Sequence, residues 1–359
     1  MFIDRRLLGA PRYHVAEPPD WRMRIPDEVL SCPVFLGFNE IPGDITTVKY
    51  AGSGFLVTMV EQGERFTYLV TAHHVAHRIR NEAEPVAWLR SELGEPYYTM
   101  LTGAHWHYPS DNSVDVAACK FFPPIKSTVL GVPPTMFVEA QHFKPDGVGI
   151  GDEVFSVSLF GFRGKKYTNA PIARMGNLAM LPMEKIPSGP IYGDMEAYLV
   201  EARSIGGISG APIFVRETTL MRVPGKDNEG NDTTLQLQTQ GSFGLLGLVH
   251  GHWDIKNDDL NEVLPRPDSK EGVNMGIAIV VPASKILDLL RSDEMRIPRI
   301  ESVNRKKRKL QEEAAVTLDS ALDEPQETQD AKLAMRRFEG LASRLFKAEK
   351  KPTTDPVEE

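Results

Sequence analysis

A serine, a histidine and an aspartate far apart in this chain each stand in a setting that suits a part in acyl transfer. The serine is Ser209, within Arg203-Ser204-Ile205-Gly206-Gly207-Ile208-Ser209-Gly210-Ala211-Pro212-Ile213-Phe214. A tight turn leading into an apolar strand can present a hydroxyl outward. It can also aim the backbone N–H groups of Gly207 and Ser209 at one point, as an oxyanion hole requires, because glycine reaches φ values that other residues avoid. Glycine–serine turns are common in ordinary loops, so the motif alone decides nothing. A serine nucleophile needs a general base, and the base needs an orienting carboxylate.

The histidines are in Thr71-Ala72-His73-His74-Val75-Ala76-His77, at the end of an apolar run. Three readings compete. His73, His74 and His77 could ligate a metal, since 73 and 77 would share a helix face, but no acidic or cysteine ligand stands nearby in sequence. They could be solvated or core histidines. Or His74, held at a strand end with its backbone fixed, is a catalytic base. The carboxylate is Asp115 in Ser113-Val114-Asp115-Val116-Ala117-Ala118-Cys119-Lys120-Phe121. A buried aspartate is costly unless hydrogen-bonded, so it is either paired or functional. Asp111 is a rival, but its neighbours Ser110, Asn112 and Ser113 point to a solvated turn.

The elements that must hold these residues read as short β-runs. Pro33–Phe38, Thr47–Tyr50, Gly54–Val60 and Phe66–Thr71 are separated by turn residues at the spacing of a sandwich or barrel rather than of βαβ units. Residues 1–31 are rich in proline and charge and form an N-terminal extension. A chain of 359 residues can bury a substantial core, and 41% hydrophobic with 25% charged residues is the composition of a soluble globular protein. A net charge of -8 argues against general affinity for nucleic acid or anionic membrane. Cys32 and Cys119, both in apolar surroundings, read as buried thiols in a reducing compartment. No signal-peptide pattern and no run near eighteen apolar residues occurs, so a cytoplasmic location is expected.

Taken together, Gly52-Ser53-Gly54-Phe55-Leu56-Val57, Leu69-Val70-Thr71-Ala72-His73-His74-Val75, Asp115-Val116-Ala117 and Gly207-Ile208-Ser209-Gly210-Ala211-Pro212 resemble the trypsin-like serine peptidases of the chymotrypsin clan, especially the bacterial branch without disulfides. The order His, Asp, Ser and the gaps of roughly forty and roughly ninety residues match that clan. Further segments extend the resemblance: Gly149–Val157, which looks like the opening of a second barrel; Gly247-Leu248-Val249-His250-Gly251-His252, like the strand after the nucleophile; Met275–Pro282, like the closing strand; and Ala283–Arg291, like the final helix, with Ile286, Leu287, Leu289 and Leu290 inward.

The resemblance implies an all-β fold of two six-stranded antiparallel barrels with the active site between them. The peptidase domain would span 32–293, its first barrel about 32–125 and its second about 148–293. His74 would be the base, Asp115 its orienter and Ser209 the nucleophile, with the N–H groups of Gly207 and Ser209 as oxyanion hole and no metal or organic cofactor. Arg203, His250 and Gly251 would border the substrate, which is a protein or peptide. Ala211 replaces the glycine usual two after the nucleophile. Ile208 replaces the aspartate that pairs with a freshly cut N-terminus in digestive members, so activation by N-terminal cleavage is not expected. Arg216 to Gln240 reads as a long, polar hairpin beside the site.

Residues 294–359 form a charged, partly helical tail, too short for the appended peptide-binding domain of many bacterial relatives. From 301 on it holds 12 Lys or Arg and 13 Asp or Glu, with few residues able to build a core. Its basic run Arg305-Lys306-Lys307-Arg308-Lys309 reads as a solvated linker. Around 330–350, Ala334, Phe338, Leu341 and Leu345 recur at helical spacing, a face that could dock on the barrels or recruit a protein partner. The competing reading of the whole chain is a catalytically silent or latent scaffold of the same fold that works as a protein-binding module.

Overall fold

Apolar alternation across short strands builds two β-layers. In the computed structural model, the structure describes residues 25–44, 47–90, 96–124, 127–143, 147–159, 171–188, 191–202, 208–226, 232–255, 273–322 and 334–340. The first layer contains β1 (Pro33–Asn39), β2 (Val48–Glu61), β3 (Glu64–Thr71), β4 (Pro85–Arg90), β5 (Pro96–Met100), β6 (Trp106–His107), β7 (Ala117–Lys120) and β8 (Gly131–Val132). Its strand order is β5-β4-β1-β2-β3-β7-β6, with β8 parallel to β2. The short helices α1 (Asp27–Leu30) and α2 (His73–Arg80) precede β1 and follow β3.

The second layer is a closed barrel of β9 (Glu153–Leu159), β10 (Pro171–Met180), β13 (Tyr198–Glu201), β14 (Pro212–Lys226), β15 (Asp232–Ile255) and β16 (Val273–Pro282), ordered β10-β13-β16-β15-β14-β9. Between β10 and β13, β11 (Ile186–Pro187) pairs with β12 (Asp194–Met195) as a small hairpin. The fold is thus mostly β, with one closed six-stranded barrel and an eight-stranded sheet. Among the described residues no ladder joins β5 to β6, and β6, two residues long, offers few backbone groups with which to close a cylinder. The hairpin expected after Arg216 forms as β14–β15, paired out to Lys226↔Asp232.

The period-two alternation of strands sorts the apolar residues into two cores. Ile213 and Val215 of β14 join Val154, Leu178, Val200, Leu246 and Val280, so every barrel strand contributes to its interior. Phe214, between them, turns the other way and joins Phe155, Leu245 and Leu248 with Phe55, Leu56 and Leu69 of the first sheet. This second core is shared by both layers. It fixes them against each other, and with them the loops that meet at their seam.

Helix α3 (Ala283–Arg291) buries Ala283, Ile286, Leu287, Leu289 and Leu290. Beyond it, where a charged linker would be expected, the chain is helical from Asp293 to Leu322, here called α4. Lys, Arg, Glu and Ala are good helix formers, and Met295, Arg299 and Val303, four residues apart, are buried against the body. The Arg299 guanidinium donates to Tyr68 Oη (3.2 Å) and to the Met295 carbonyl (3.0 Å). Lys306 and Lys307 of the basic run reach Glu64 (2.6 Å) and Gln62 (3.0 Å) on the β2–β3 turn. Residues 334–340 are helical with Phe338 partly exposed; the rest of the expected 330–350 helix lies outside the described residues. No described helix is long and apolar enough to cross a membrane.

Candidate active site

The end of β3 sets the position of the histidines. Thr71 is fully buried and donates its hydroxyl to the Ser53 carbonyl (2.6 Å), so the strand is tied to β2 at the point where it turns into α2. Val75, Ala76 and Ile79 bury the inner face of that helix. His74, its second residue, is thereby held with its backbone fixed and its side chain 37% exposed.

Asp115 precedes β7 in a stretch of apolar residues and is completely buried. It holds His74 at two points: the His74 backbone N–H donates to Oδ1 (3.0 Å), and Nδ1 lies 2.8 Å from Oδ2. A carboxylate only accepts, so Nδ1 carries the proton and Nε2 is left with its lone pair. Asp111 sits in the solvated turn expected of it. Its carboxylate accepts the hydroxyl and backbone N–H of Ser113, which hold its pKa below the usual value.

A second imidazole uses the same oxygen. His250 on β15 is 2.5 Å from Asp115 Oδ2 through Nδ1, and its ring stands edge-on to that of His74, with centroids 5.7 Å apart. Sequence reasoning put His250 beside the substrate; the structure puts it on the buried carboxylate. Tyr192 completes the group. It sits at the tip of the β11–β12 hairpin, which a bond from Ser188 N–H to the Gly193 carbonyl (2.8 Å) closes. Its ring stands edge-on to that of His250, with centroids 5.3 Å apart, and to that of His73 at 6.1 Å.

These contacts decide the charge of the centre. Burial is the largest single influence on Asp115 and would raise its pKa. The hydrogen bonds from His250 and His74, with the attraction of both rings, outweigh it together and hold the carboxyl well below the ordinary range. Burial, then the Asp115 charge, push the Tyr192 phenol up, so it stays protonated. His73 packs its ring 4.4 Å from Tyr108, and burial lowers its pKa against the pull of Asp115. Its ring and that of His77 are 6.3 Å apart and meet edge-on. His74, Asp115 and His250 each bring one ligand-type atom within 4.8 Å of the others, with both Nδ1 atoms bonded to the one carboxylate oxygen.

Ser209 is half-buried in the turn before β14. Its carbonyl accepts from Ser53 N–H (2.8 Å), and Gly210 N–H donates to the Val249 carbonyl (2.7 Å), next to His250. Gly210 has φ +81°, and a Cβ there would lie 2.1 Å from the Ser53 carbonyl oxygen and 2.3 Å from Thr71 Oγ1. Only glycine lets the serine turn press this closely on the end of β3. Ser209 and His74 therefore flank one seam between the layers. Among the described residues, no hydrogen bond joins the Ser209 hydroxyl to His74. Ile208 is buried, a Cβ on Gly251 would meet open space, and Arg203 and Gly207 lie outside the described residues.

Tyr192 was missed in the sequence, and its turn carries no local signal that its ring would pack beside the His250 and His73 rings. No family model matches this chain, and no curated protein matches it. Among solved structures, it is similar to an inactive-form, serine-to-alanine mutant of Rv3671c from M. tuberculosis H37Rv, at 16% identity and a TM-score of 0.37, over 74% of this chain and 88% of the other.

Proposed function

We propose that this chain is a serine endopeptidase of trypsin-like architecture, with 32–293 as the catalytic unit, the first sheet in the role of the first barrel (about 32–125) and the closed barrel as the second (about 148–293). The observation that carries this reading is the two-point hold of the fully buried Asp115 on His74. A packing histidine needs neither a buried anion nor a fixed tautomer, whereas a general base needs both.

In the reaction, His74 Nε2 accepts the proton of Ser209 Oγ as that oxygen bonds to the carbonyl carbon of a peptide. Asp115 accepts from Nδ1–H throughout and stabilises the imidazolium. Collapse of the tetrahedral intermediate breaks the C–N bond, and His74 returns the proton to the leaving amine. Water then repeats the sequence on the acyl-enzyme. The N–H groups of Gly207 and Ser209 receive the oxyanion, each such donor contributing about 3–4 kcal/mol in the transition state. Gly251, with open space above its backbone, borders the substrate main chain. The chemistry needs no metal or organic cofactor.

One observation favours a second reading, a latent or silent scaffold that binds proteins: Ser209 and His74 share no hydrogen bond. Labelling with a fluorophosphonate and locating the adduct by mass spectrometry separates the two. An adduct on Ser209 that is absent in His74→Ala supports the peptidase. A folded protein that takes no label, with or without candidate protein substrates, sinks it.

A further inference from the structure

A second group of ligand-type side chains lies away from the seam. His105 and His107 flank Trp106, which is 8% exposed and belongs to the shared core. Alternation along an extended segment therefore turns both imidazoles to the outer face, where their rings meet edge-on at 4.7 Å. Opposite them is Glu294, the second residue of α4. Its carboxylate accepts from His107 Nδ1 at 2.7 Å, and one ligand atom from each of the three lies within 4.8 Å of the others.

The backbones that carry these side chains are fixed. His107 pairs with Ala118 in the β6–β7 ladder. The start of α4 is set by the burial of Met295 (3% exposed) and by Met295 and Arg296 N–H bonds to the Ser292 carbonyl (3.1 and 2.8 Å). Two of the side chains are free to adjust around a His107 that is only 16% exposed: His105 is exposed and the Glu294 side chain is 63% exposed. Tetrahedral zinc at 2.0–2.1 Å from nitrogen and oxygen needs ligand atoms about 3.3 Å apart, a modest rearrangement of rotamers. Asp293 and Glu294 in the first turn offset the positive end of the helix dipole, which would otherwise oppose a cation.

We propose that His105, His107 and Glu294 form a zinc site that clamps the C-terminal helix α4 onto the first sheet. Two imidazoles and one carboxylate select a borderline cation such as Zn²⁺ over Mg²⁺ or Ca²⁺. The fourth position is open to water, so the site binds reversibly and couples the anchoring of the tail to available zinc.

The test uses the full chain, stripped with a chelator and titrated with Zn²⁺ against a chromophoric competitor, with amide hydrogen exchange read over 293–300. Expected are zinc-dependent slowing of exchange in that segment and no effect of Mg²⁺. His105→Asn, at an exposed position that leaves the fold undisturbed, lowers zinc affinity at least tenfold and removes the slowing. Glu294→Gln, which keeps a hydrogen bond to His107, does the same. Unchanged affinity in both variants overturns the proposal. So does binding that survives His105→Asn and disappears in His250→Ser, which would put the metal on Asp115.

Discussion

Replacing Asp115 by asparagine is nearly isosteric and removes one charge, yet it upsets every bond the side chain makes. Oδ1 accepts the His74 backbone N–H, while Oδ2 receives Nδ1–H from both His74 and His250. An amide keeps only one acceptor. If its oxygen faces the His74 backbone, its NH₂ faces two Nδ1 atoms, and both rings must move their proton to Nε2. His74 then has no lone pair for Ser209. If the amide is turned over, two N–H groups meet in a fully buried space, at about 1–3 kcal/mol for the unmet donor. The first arrangement is the cheaper, so the variant folds with the wrong tautomer, and a loss of about 10⁴ in turnover is expected, equivalent to about 5.5 kcal/mol. The assay is the second-order rate of fluorophosphonate acylation at Ser209, with melting by circular dichroism as the check on folding. The same variant has a pH signature. The native carboxyl pKa lies below its unfolded value of about 3.9, so its stabilisation is full above that pH and is lost as pH falls towards the folded value. Wild type should lose stability through this acid window more steeply than Asp115→Asn. An acylation rate within tenfold of wild type, or identical acid profiles, would refute the reasoning.

Other substitutions probe the supports of the site. Gly210→Ala sets a Cβ 2.1 Å from the Ser53 carbonyl oxygen at φ +81° and should cost about 2–4 kcal/mol in chemical denaturation; a loss under about 0.5 kcal/mol would show that the turn can move aside. His250→Ser removes one charge-assisted bond to Asp115 while His74 keeps its own, so turnover should fall about ten- to a hundredfold with KM unchanged. A change confined to KM would instead put His250 against substrate. Arg299→Met takes a buried guanidinium away from Tyr68 and the Met295 carbonyl and should loosen α4, seen as earlier proteolytic cleavage beyond residue 291. Unaltered cleavage would mean that Met295 and Val303 hold the helix unaided.

What could be read in the sequence was what local pattern encodes. Val114-Asp115-Val116 announces a buried charge because burial without partners is prohibitive, and Thr71–Val75 announces a fixed histidine because an apolar strand runs straight into a turn. The partners were another matter. That His250 meets Asp115 with the Tyr192 ring beside it depends on the register of β15 against β16 and on the reach of a small hairpin, neither of which leaves a mark in neighbouring residues. The α4 helix stayed hidden for a different reason. Its inward stripe is Met295, Arg299 and Val303, and an arginine in the middle breaks an apolar count, although its aliphatic stem and paired head are buried as effectively as a leucine. Closure of a six-stranded barrel was expected of both layers and is found in the second; in the first it turns on an edge strand of two residues, which no local pattern reveals.

Asp115 also has a consequence for how the molecule is made. It draws on α2 and on β15, and its bond to His250 spans 135 positions of the chain. At synthesis rates of about 5–20 residues per second, that interval lasts on the order of ten seconds. During it the first sheet has already emerged, with Asp115 held by His74 but still without its second imidazole. The nascent chain therefore holds this buried charge through His74 alone until β15 has left the ribosome.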